Sequence, residues 1–375
     1  MPAAYWKQYY EPLRIIFEIK ADFPAVKFVA SREKKRASKV SAVQNAFGGI
    51  LGLDHPPGGR YTTVMVIVQQ KPKVVVVCGP TASGKTDGAI RLAATFGAEI
   101  VSADSMQVYR YMDIGTAKPT AAERARVYHH LIDVVDPDEP FDAETYVKMA
   151  RDSVADIRRR NLTPIVAGGT GLYLKAFVHG LFRLPPVDRR IRDRLASEAA
   201  DRGTGPLYER LRRLDPETAS RIHTNDRYRI LRALEVLASS GQPISSWHAA
   251  HRFADCPFEV LQIGLNIERQ RLYERIDRRA EEMIAAGLAD EVAGLLDNGY
   301  RPELKSMQSI GYRHMVDFLQ GRTTHDEALR TMQRDTRRYA KRQMTWFRAD
   351  AAIRWIDPDR FDEAREMTAA FLGTG

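Results

Sequence analysis

The sequence predicts an α/β protein: a parallel sheet flanked by helices, with a mainly helical domain inserted into it. Three observations carry this expectation. From Val74 onward, short β-branched apolar runs alternate with segments of helical periodicity. A glycine loop with phosphate-binding spacing joins the first such run to the first such helix. A polar, arginine-rich stretch over residues 186–258 then interrupts the alternation, and a strand-like run resumes at Val260.

Residues 1–70 stand apart from this pattern. Lys34-Lys35-Arg36 and the Pro/Gly cluster from Asp54 to Arg60 suggest a linker or a poorly ordered extension. Tyr5-Trp6, Tyr9-Tyr10 and Ile15-Ile16-Phe17 leave room for a short docking helix. The segment holds 10 basic and 5 acidic residues, more than half of the chain's net charge of +9. Residues 1–64 are expected to be dispensable, an artefact of an upstream start codon, with the functional chain beginning near Met65, just before the first strand of the fold.

The core follows in two parts, residues 71–185 and 259–375. Val74–Cys78 is too short for a helix and reads as a buried strand. Asp87–Ala94 has helical spacing. Ala98–Asp104 reads as a second strand ending at an acid, and Thr163–Ala167 as a third, followed by Gly168-Gly169-Thr170-Gly171. Residues 186–258 carry turn signals at Arg202–Pro206 and Ser240–Pro243, as expected of an inserted helical domain. Val260–Leu265 returns to a strand, residues 268–296 to helix periodicity, and the C-terminal part to basic helices.

Gly79, Pro80, Thr81, Ala82, Ser83, Gly84, Lys85 and Thr86 form a complete G-x-x-x-x-G-K-[ST] loop. Between a strand and a helix, this is the context of a P-loop NTPase-like fold. Its backbone N–H groups and the helix N-terminus make a polyphosphate site. Lys85 supplies a point charge and the Thr86 hydroxyl a ligand for Mg²⁺. Ligands of parallel sheets bind at the C-terminal ends of the strands, which brings Asp104 and Thr170 to the same rim. Asp104 could hold a metal, take a proton from a nucleophile, or simply shape a turn. Spacing does not separate the first two.

Composition narrows the classes. Hydrophobic content of 44% and charged content of 28% are ordinary for a globular chain. Two cysteines exclude a disulfide framework and a Cys₄ zinc site, and Cys78 falls in the buried strand. No run of 18 apolar residues and no secretory leader are found, so a cytoplasmic protein with no membrane partner is expected. Basic residues cluster in two blocks. In residues 330–348, Arg330, Arg334, Arg337, Arg338, Lys341, Arg342 and Arg348 face Asp335 alone. Arg334, Arg338 and Arg342 would form one helical stripe, with Tyr339, Trp346 and Phe347 among them. Residues 183–232 hold 13 arginines against 8 acids. A solvated face accounts for any single arginine, but two separate blocks point toward a phosphate backbone.

Longer motifs then accumulate. Ser102-Ala103-Asp104-Ser105-Met106-Gln107-Val108-Tyr109 and Met112-Asp113-Ile114-Gly115-Thr116-Ala117-Lys118-Pro119 resemble the signature of the tRNA dimethylallyltransferases. Gly168–Tyr173, Arg221–Asp226, Arg232–Val236, Ile310–Arg313 and Ala340–Arg348 follow in the family's order. The resemblance covers roughly residues 72–350 and leaves residues 1–70 outside. The family's eukaryotic members carry a C-terminal zinc finger. The segment ending at Gly375 has no Cys or His pair for one, so the chain resembles the bacterial form.

The resemblance implies that dimethylallyl diphosphate occupies the phosphate loop and that a tRNA adenosine 3′ of the anticodon attacks it through N6. It implies Asp104 as general base, with Thr170 orienting the amine or diphosphate. Lys85, Thr86-bound Mg²⁺ and Arg275 would neutralise the leaving group, although Arg271 shares Arg275's face at i, i+4. Asp104, Ser105, Met106 and Gln107 would hold the flipped adenine, with Thr170 beside it. Arg192, the run Tyr228, Arg229, Ile230, Leu231, Arg232, and the run Gln308, Ser309, Ile310, Gly311, Tyr312, Arg313, His314, Met315 would touch the RNA. The insertion would clamp the anticodon stem, and a monomer is expected. Two other classes compete: a P-loop kinase of a small metabolite, which needs no basic helix, and a non-enzymatic RNA-binding protein with a relict loop.

Overall fold

The structure, a computed structural model, describes residues 26–30, 64–68, 71–181, 188–251 and 257–374. The chain divides into two units, residues 1–72 and 73–375. In the first, β1 (Val26–Ala30) and β2 (Val64–Val68) pair antiparallel, Val26 opposite Val68. Both runs are rich in valine, which favours such a ladder. Met65 therefore lies inside a strand of its own, ahead of the strand at Lys73–Cys78. The expected basic, Pro/Gly and docking-helix segments of residues 1–70 lie outside the described residues.

The second unit is organised around β3 (Lys73–Cys78), whose residues from Val74 on are all buried. Its side chains alternate between two layers, as a pleated strand requires. Val75 and Val77 pack on one face with Ile90 and Leu92 of the helix α1 (Lys85–Phe96). Val74, Val76 and Cys78 pack on the other with a larger cluster. Five further strands complete an all-parallel sheet: β4 (Ala98–Ser102), β5 (His129–His130), β6 (Thr163–Gly168), β7 (Glu259–Leu265) and β8 (Ile353–Ile356), in the order β5-β4-β6-β3-β7-β8. The strand expected to run to Asp104 ends at Ser102. Ala103 still donates its N–H to Ala167 O at 2.8 Å, and the chain then turns away.

Short α2 (Ala121–Arg126) precedes β5, and α3 (Ala143–Arg159) runs back to β6. The glycine loop after β6 opens α4 (Gly171–His179). The polar stretch forms α5 (Arg189–Arg202), α6 (Gly205–Leu214), α7 (Pro216–Ala219), α8 (Arg227–Ser240) and α9 (Ile244–His251). Leu195, Leu207, Leu211, Ile230 and Leu234 give these helices an apolar cluster of their own.

After β7 the helical periodicity resolves into two helices, α10 (Arg269–Ala285) and α11 (Leu288–Asp297). Gly287 separates them at φ 93°. Then come α12 (Tyr312–Leu319), the long basic α13 (His325–Arg348), β8 and α14 (Phe361–Leu372). Among the described residues no helix is long and apolar enough to cross a membrane. Cys78 is buried, and burial pushes its thiol up to about 12.

Candidate active site

The phosphate loop starts where β3 ends. Gly84 takes φ 93°, a left-handed conformation that L side chains rarely adopt, and this turn starts α1. Within the loop Gly79, Pro80 and Ser83 are buried, and Ala82 packs on Ile267, Leu272 and Ile276. Thr81, Lys85 and Thr86 line a cavity of ≈ 100 Å³ together with Ser102, Asp104, Gln107, Gly169 and Arg279. Lys85 Nζ donates to Pro80 O at 2.6 Å. Burial lowers its pKa to about 8, helped by the nearby Arg279 guanidinium and opposed by Asp104.

Asp104 and Thr170 meet on the same rim, as their strand positions imply. Asp104 Oδ1 accepts from the N–H groups of Met106 at 2.8 Å and Gln107 at 3.3 Å. Among the described residues nothing donates to Oδ2. Thr170 N–H donates to Ala103 O at 3.1 Å, and its Oγ1 accepts from Ser105 N–H at 3.0 Å. Gln107 donates to Thr116 O at 3.3 Å and Ala117 O at 3.1 Å, tying the 113–118 loop to the rim. Lys118 anchors that loop from beneath, with Nζ 2.7 Å from Asp113 and 2.5 Å from Asp133.

A chamber of ≈ 320 Å³ adjoins the cavity and shares Thr81, Asp104, Thr116, Arg279 and Tyr339 with it. Met106, Ile276, Ala280, Met283, Ile310 and Met332 give it an apolar side. Ser105, Ser309, Arg313 and Arg342 also line it. Arg342 in turn lines an open groove of ≈ 1120 Å³ with Lys175, Arg229, Arg338, Lys341 and Trp346. Arg342 is thus common to the chamber and the basic groove, as Thr81 and Asp104 are to the chamber and the inner cavity.

Of the three arginines spaced by four on α10, the structure brings Arg279 to the loop. Its guanidinium donates to the Thr81 hydroxyl and faces Asp104. Arg275 lines a separate pocket beside Gly84, Asp87 and Asp359, and Arg271 pairs with Asp359 at 2.5 Å. Sequence spacing shows that these residues share a helix face, but not which turn of the helix meets Thr81. Tyr339 and Gln343, both on α13, also line the inner cavity and were missed. Gln343, three residues after Ala340 and four before Phe347, and Tyr339, four before Gln343, are marked by spacing only as lying on a face turned inward.

The residues expected at RNA divide. Tyr228 and Gln308 are exposed, Ser309 and Ile310 are half-buried, and Arg229 lines the groove with an ion pair to Asp226 at 3.1 Å. Arg192 and Arg232 both approach Glu235 at 3.4 Å, and Leu231 is half-buried. Ile230, Gly311, Tyr312, His314 and Met315 are buried and offer no side-chain surface to an RNA; they hold their neighbours in place. On α13, Arg338, Lys341 and Arg342 face the groove. Arg334 pairs with Asp335 at 3.0 Å, and Arg337 pairs with Asp277.

For a metal, the lining oxygens of Thr86, Ser102 and Asp104 are hard donors. No group of three His, Cys, Asp or Glu able to hold a metal occurs among the described residues. Such a set suits Mg²⁺ completed by substrate phosphates and water rather than a protein cage.

Residues 107–350 match the family model of the IPP transferases. A tRNA dimethylallyltransferase of Desulfosudis oleivorans is 57% identical over 287 residues, 76% of this chain and 91% of that protein. One from Geobacter sulfurreducens is 49% identical over 304 residues, covering 81% and 98%. The solved tRNA isopentenylpyrophosphate transferase of Bacillus halodurans superposes with a TM-score of 0.60 at 40% identity, covering 81% of this chain and 97% of that one. A eukaryotic dimethylallyltransferase acting on tRNA gives 0.71 at 27% identity, covering 80% of each chain.

Proposed function

The chain belongs to the IPP transferase family, and we propose that it transfers a dimethylallyl group from dimethylallyl diphosphate to N6 of the tRNA adenosine 3′-adjacent to the anticodon. One observation supports this above the others: the phosphate loop and Asp104 line one cavity, the adjoining chamber shares Thr81 and Asp104 with it, and Arg342 is common to that chamber and a basic groove. The groove suits the RNA backbone, the chamber a five-carbon chain beside a splayed base, and the loop a diphosphate.

The N6 amine attacks the allylic carbon attached to oxygen. A C–N bond forms, the C–O bond breaks, and diphosphate leaves with the bonding pair. Asp104, through Oδ2, takes the proton that the amine loses. Its Oδ1 bonds to Met106 and Gln107 fix the carboxylate's orientation. Thr170, beside Asp104 on the rim, orients the amine. Lys85 and Arg279, both lining the cavity, neutralise the charge growing on the departing oxygens. Thr86 is the residue that would hold Mg²⁺, whose charge would add to theirs. Arg275 lines a separate pocket beside Gly84, outside the cavity. A kinase would need none of the groove's arginines.

The test is incubation with labelled dimethylallyl diphosphate, Mg²⁺ and unmodified tRNA, followed by nucleoside mass analysis. N6-isopentenyladenosine is expected. Its absence, together with ATP hydrolysis stimulated by a small metabolite, would replace this reading with the kinase.

A further inference from the structure

Gln343 is 6% exposed, and both ends of its amide are hydrogen-bonded. Oε1 accepts the Thr81 N–H of the phosphate loop at 2.8 Å. Nε2 donates to Gly169 O, on the loop that carries Thr170, also at 2.8 Å. One side chain on α13 thus joins the loop that binds the leaving group to the loop beside the base. A buried amide is costly unless both ends are paired, and here both partners are backbone groups distant in sequence. Gly169 is shaped to this approach: a Cβ there would lie 2.5 Å from Nε2. One turn earlier, the Tyr339 phenol interacts with both Thr170 and Gln343.

We propose that Gln343 is a positioning residue: it sets the spacing between the phosphate loop and the Thr170 loop, and so aligns the allylic diphosphate with the acceptor amine. This rests on the transferase reading above. The carbon under attack must sit between two groups held on separate loops. A misplacement of about 1 Å costs on the order of 100-fold in rate. No other side chain among the described residues hydrogen-bonds to the backbone of both loops. The opposite face of α13 lines the basic groove through Arg338, Lys341 and Arg342, so the same helix also carries this alignment to the RNA side.

Two variants separate alignment from general packing. Gln343→Leu keeps the volume and removes both bonds. Gln343→Glu keeps an acceptor for Thr81 but sets an oxygen against Gly169 O. We expect Gln343→Leu to lower kcat by about 10- to 100-fold, with tRNA Kd in filter binding within about twofold of wild type. Gln343→Glu should keep tRNA Kd within about twofold of wild type in filter binding, yet lose kcat comparably. Wild-type kcat in Gln343→Glu would overturn the proposal, as would parallel loss of kcat and tRNA binding in Gln343→Leu. If Gln343→Leu does not fold, Gln343→Glu alone decides. An inactive wild-type protein would instead refute the transferase reading itself.

Discussion

Tyr312 donates its phenol hydrogen to Glu291 at 2.5 Å, and the same carboxylate accepts the backbone N–H groups of Asp113, Ile114 and Gly115. One acid on α11 therefore holds the start of the loop that lines the cavity with Thr116. A Cβ on Gly115 would run into the Tyr312 ring, so the turn and the aromatic are fitted to each other. Burial, and then Glu291, push the phenol's pKa well above its usual range. Glu291→Ala leaves three amides and a buried hydroxyl unpaired. It should cost about 2–4 kcal/mol in urea unfolding, whereas Tyr312→Phe should cost nearer 1. Equal, negligible losses would show that the turn holds itself.

Asp104→Asn should lower the transfer rate by about 10²–10⁴ while leaving tRNA binding near wild type, because it keeps the turn and removes the base. Single-turnover assays with saturating tRNA measure this. Wild-type turnover would remove Asp104 from proton transfer.

Arg279→Ala should weaken inorganic diphosphate binding by at least about tenfold, since it deletes a charge buried beside the loop. Arg275→Ala should change it by less than about threefold, being outside the cavity. Calorimetry on both variants distinguishes them, and the reverse ranking would restore Arg275 as the diphosphate ligand.

Neutralising Arg338, Lys341 and Arg342 together should weaken tRNA binding. The dependence of log K on log salt should flatten by about 0.7–0.9 for each RNA phosphate that is no longer neutralised. Neutralising Arg334 and Arg337, which do not line the groove, should flatten it less. Filter binding over a salt series gives the slopes. Identical slopes in all variants would leave the groove without a nucleic-acid role.

The Lys85 ammonium, lowered to about 8, is lost as pH rises through that value. A bound diphosphate favours the charged form and raises the pKa again. Diphosphate affinity should therefore fall above about pH 8, and binding there should take up a proton. Calorimetry in two buffers of different ionisation enthalpy detects the uptake. Folding stability should rise over the window from about 8 to the ordinary lysine value of 10.5, where the unfolded chain holds a proton that the folded chain has lost. In Lys85→Met both effects should vanish.

Much of the site was legible where local sequence and chemistry coincide. Val74–Thr86 states strand, loop and helix in order, and the acid after the second strand could be placed on the rim by topology alone. What stayed hidden depends on where helices cross. Arg271, Arg275 and Arg279 are equivalent by spacing; only the packing of α10 beside Thr81 selects the last. Gln343 looks like any polar residue on a basic helix until its two backbone partners, Thr81 and Gly169, are seen. In the runs 228–232 and 308–315, motif membership did not separate exposed Tyr228 from buried Ile230, or Gln308 from Met315, because a signature preserves supports along with contacts. The β1–β2 ladder was missed because the Pro/Gly cluster between its strands reads as linker.

The strand order has a consequence for biosynthesis. Val75 is synthesised early, but its two neighbours in the sheet, Ile165 and Leu261, leave the ribosome much later, with the helical insertion between them. Until β7 emerges, one edge of β3 has no partner, and its valines present a row of open hydrogen-bonding groups. The nascent phosphate loop, anchored at the end of that strand, cannot acquire its final shape during this interval. Emergence is later still for α13, which brings Gln343 to the loop. Assembly of the reaction centre is therefore among the last events of translation, and a polypeptide stalled before β7 is released as an aggregation-prone intermediate rather than a weak enzyme.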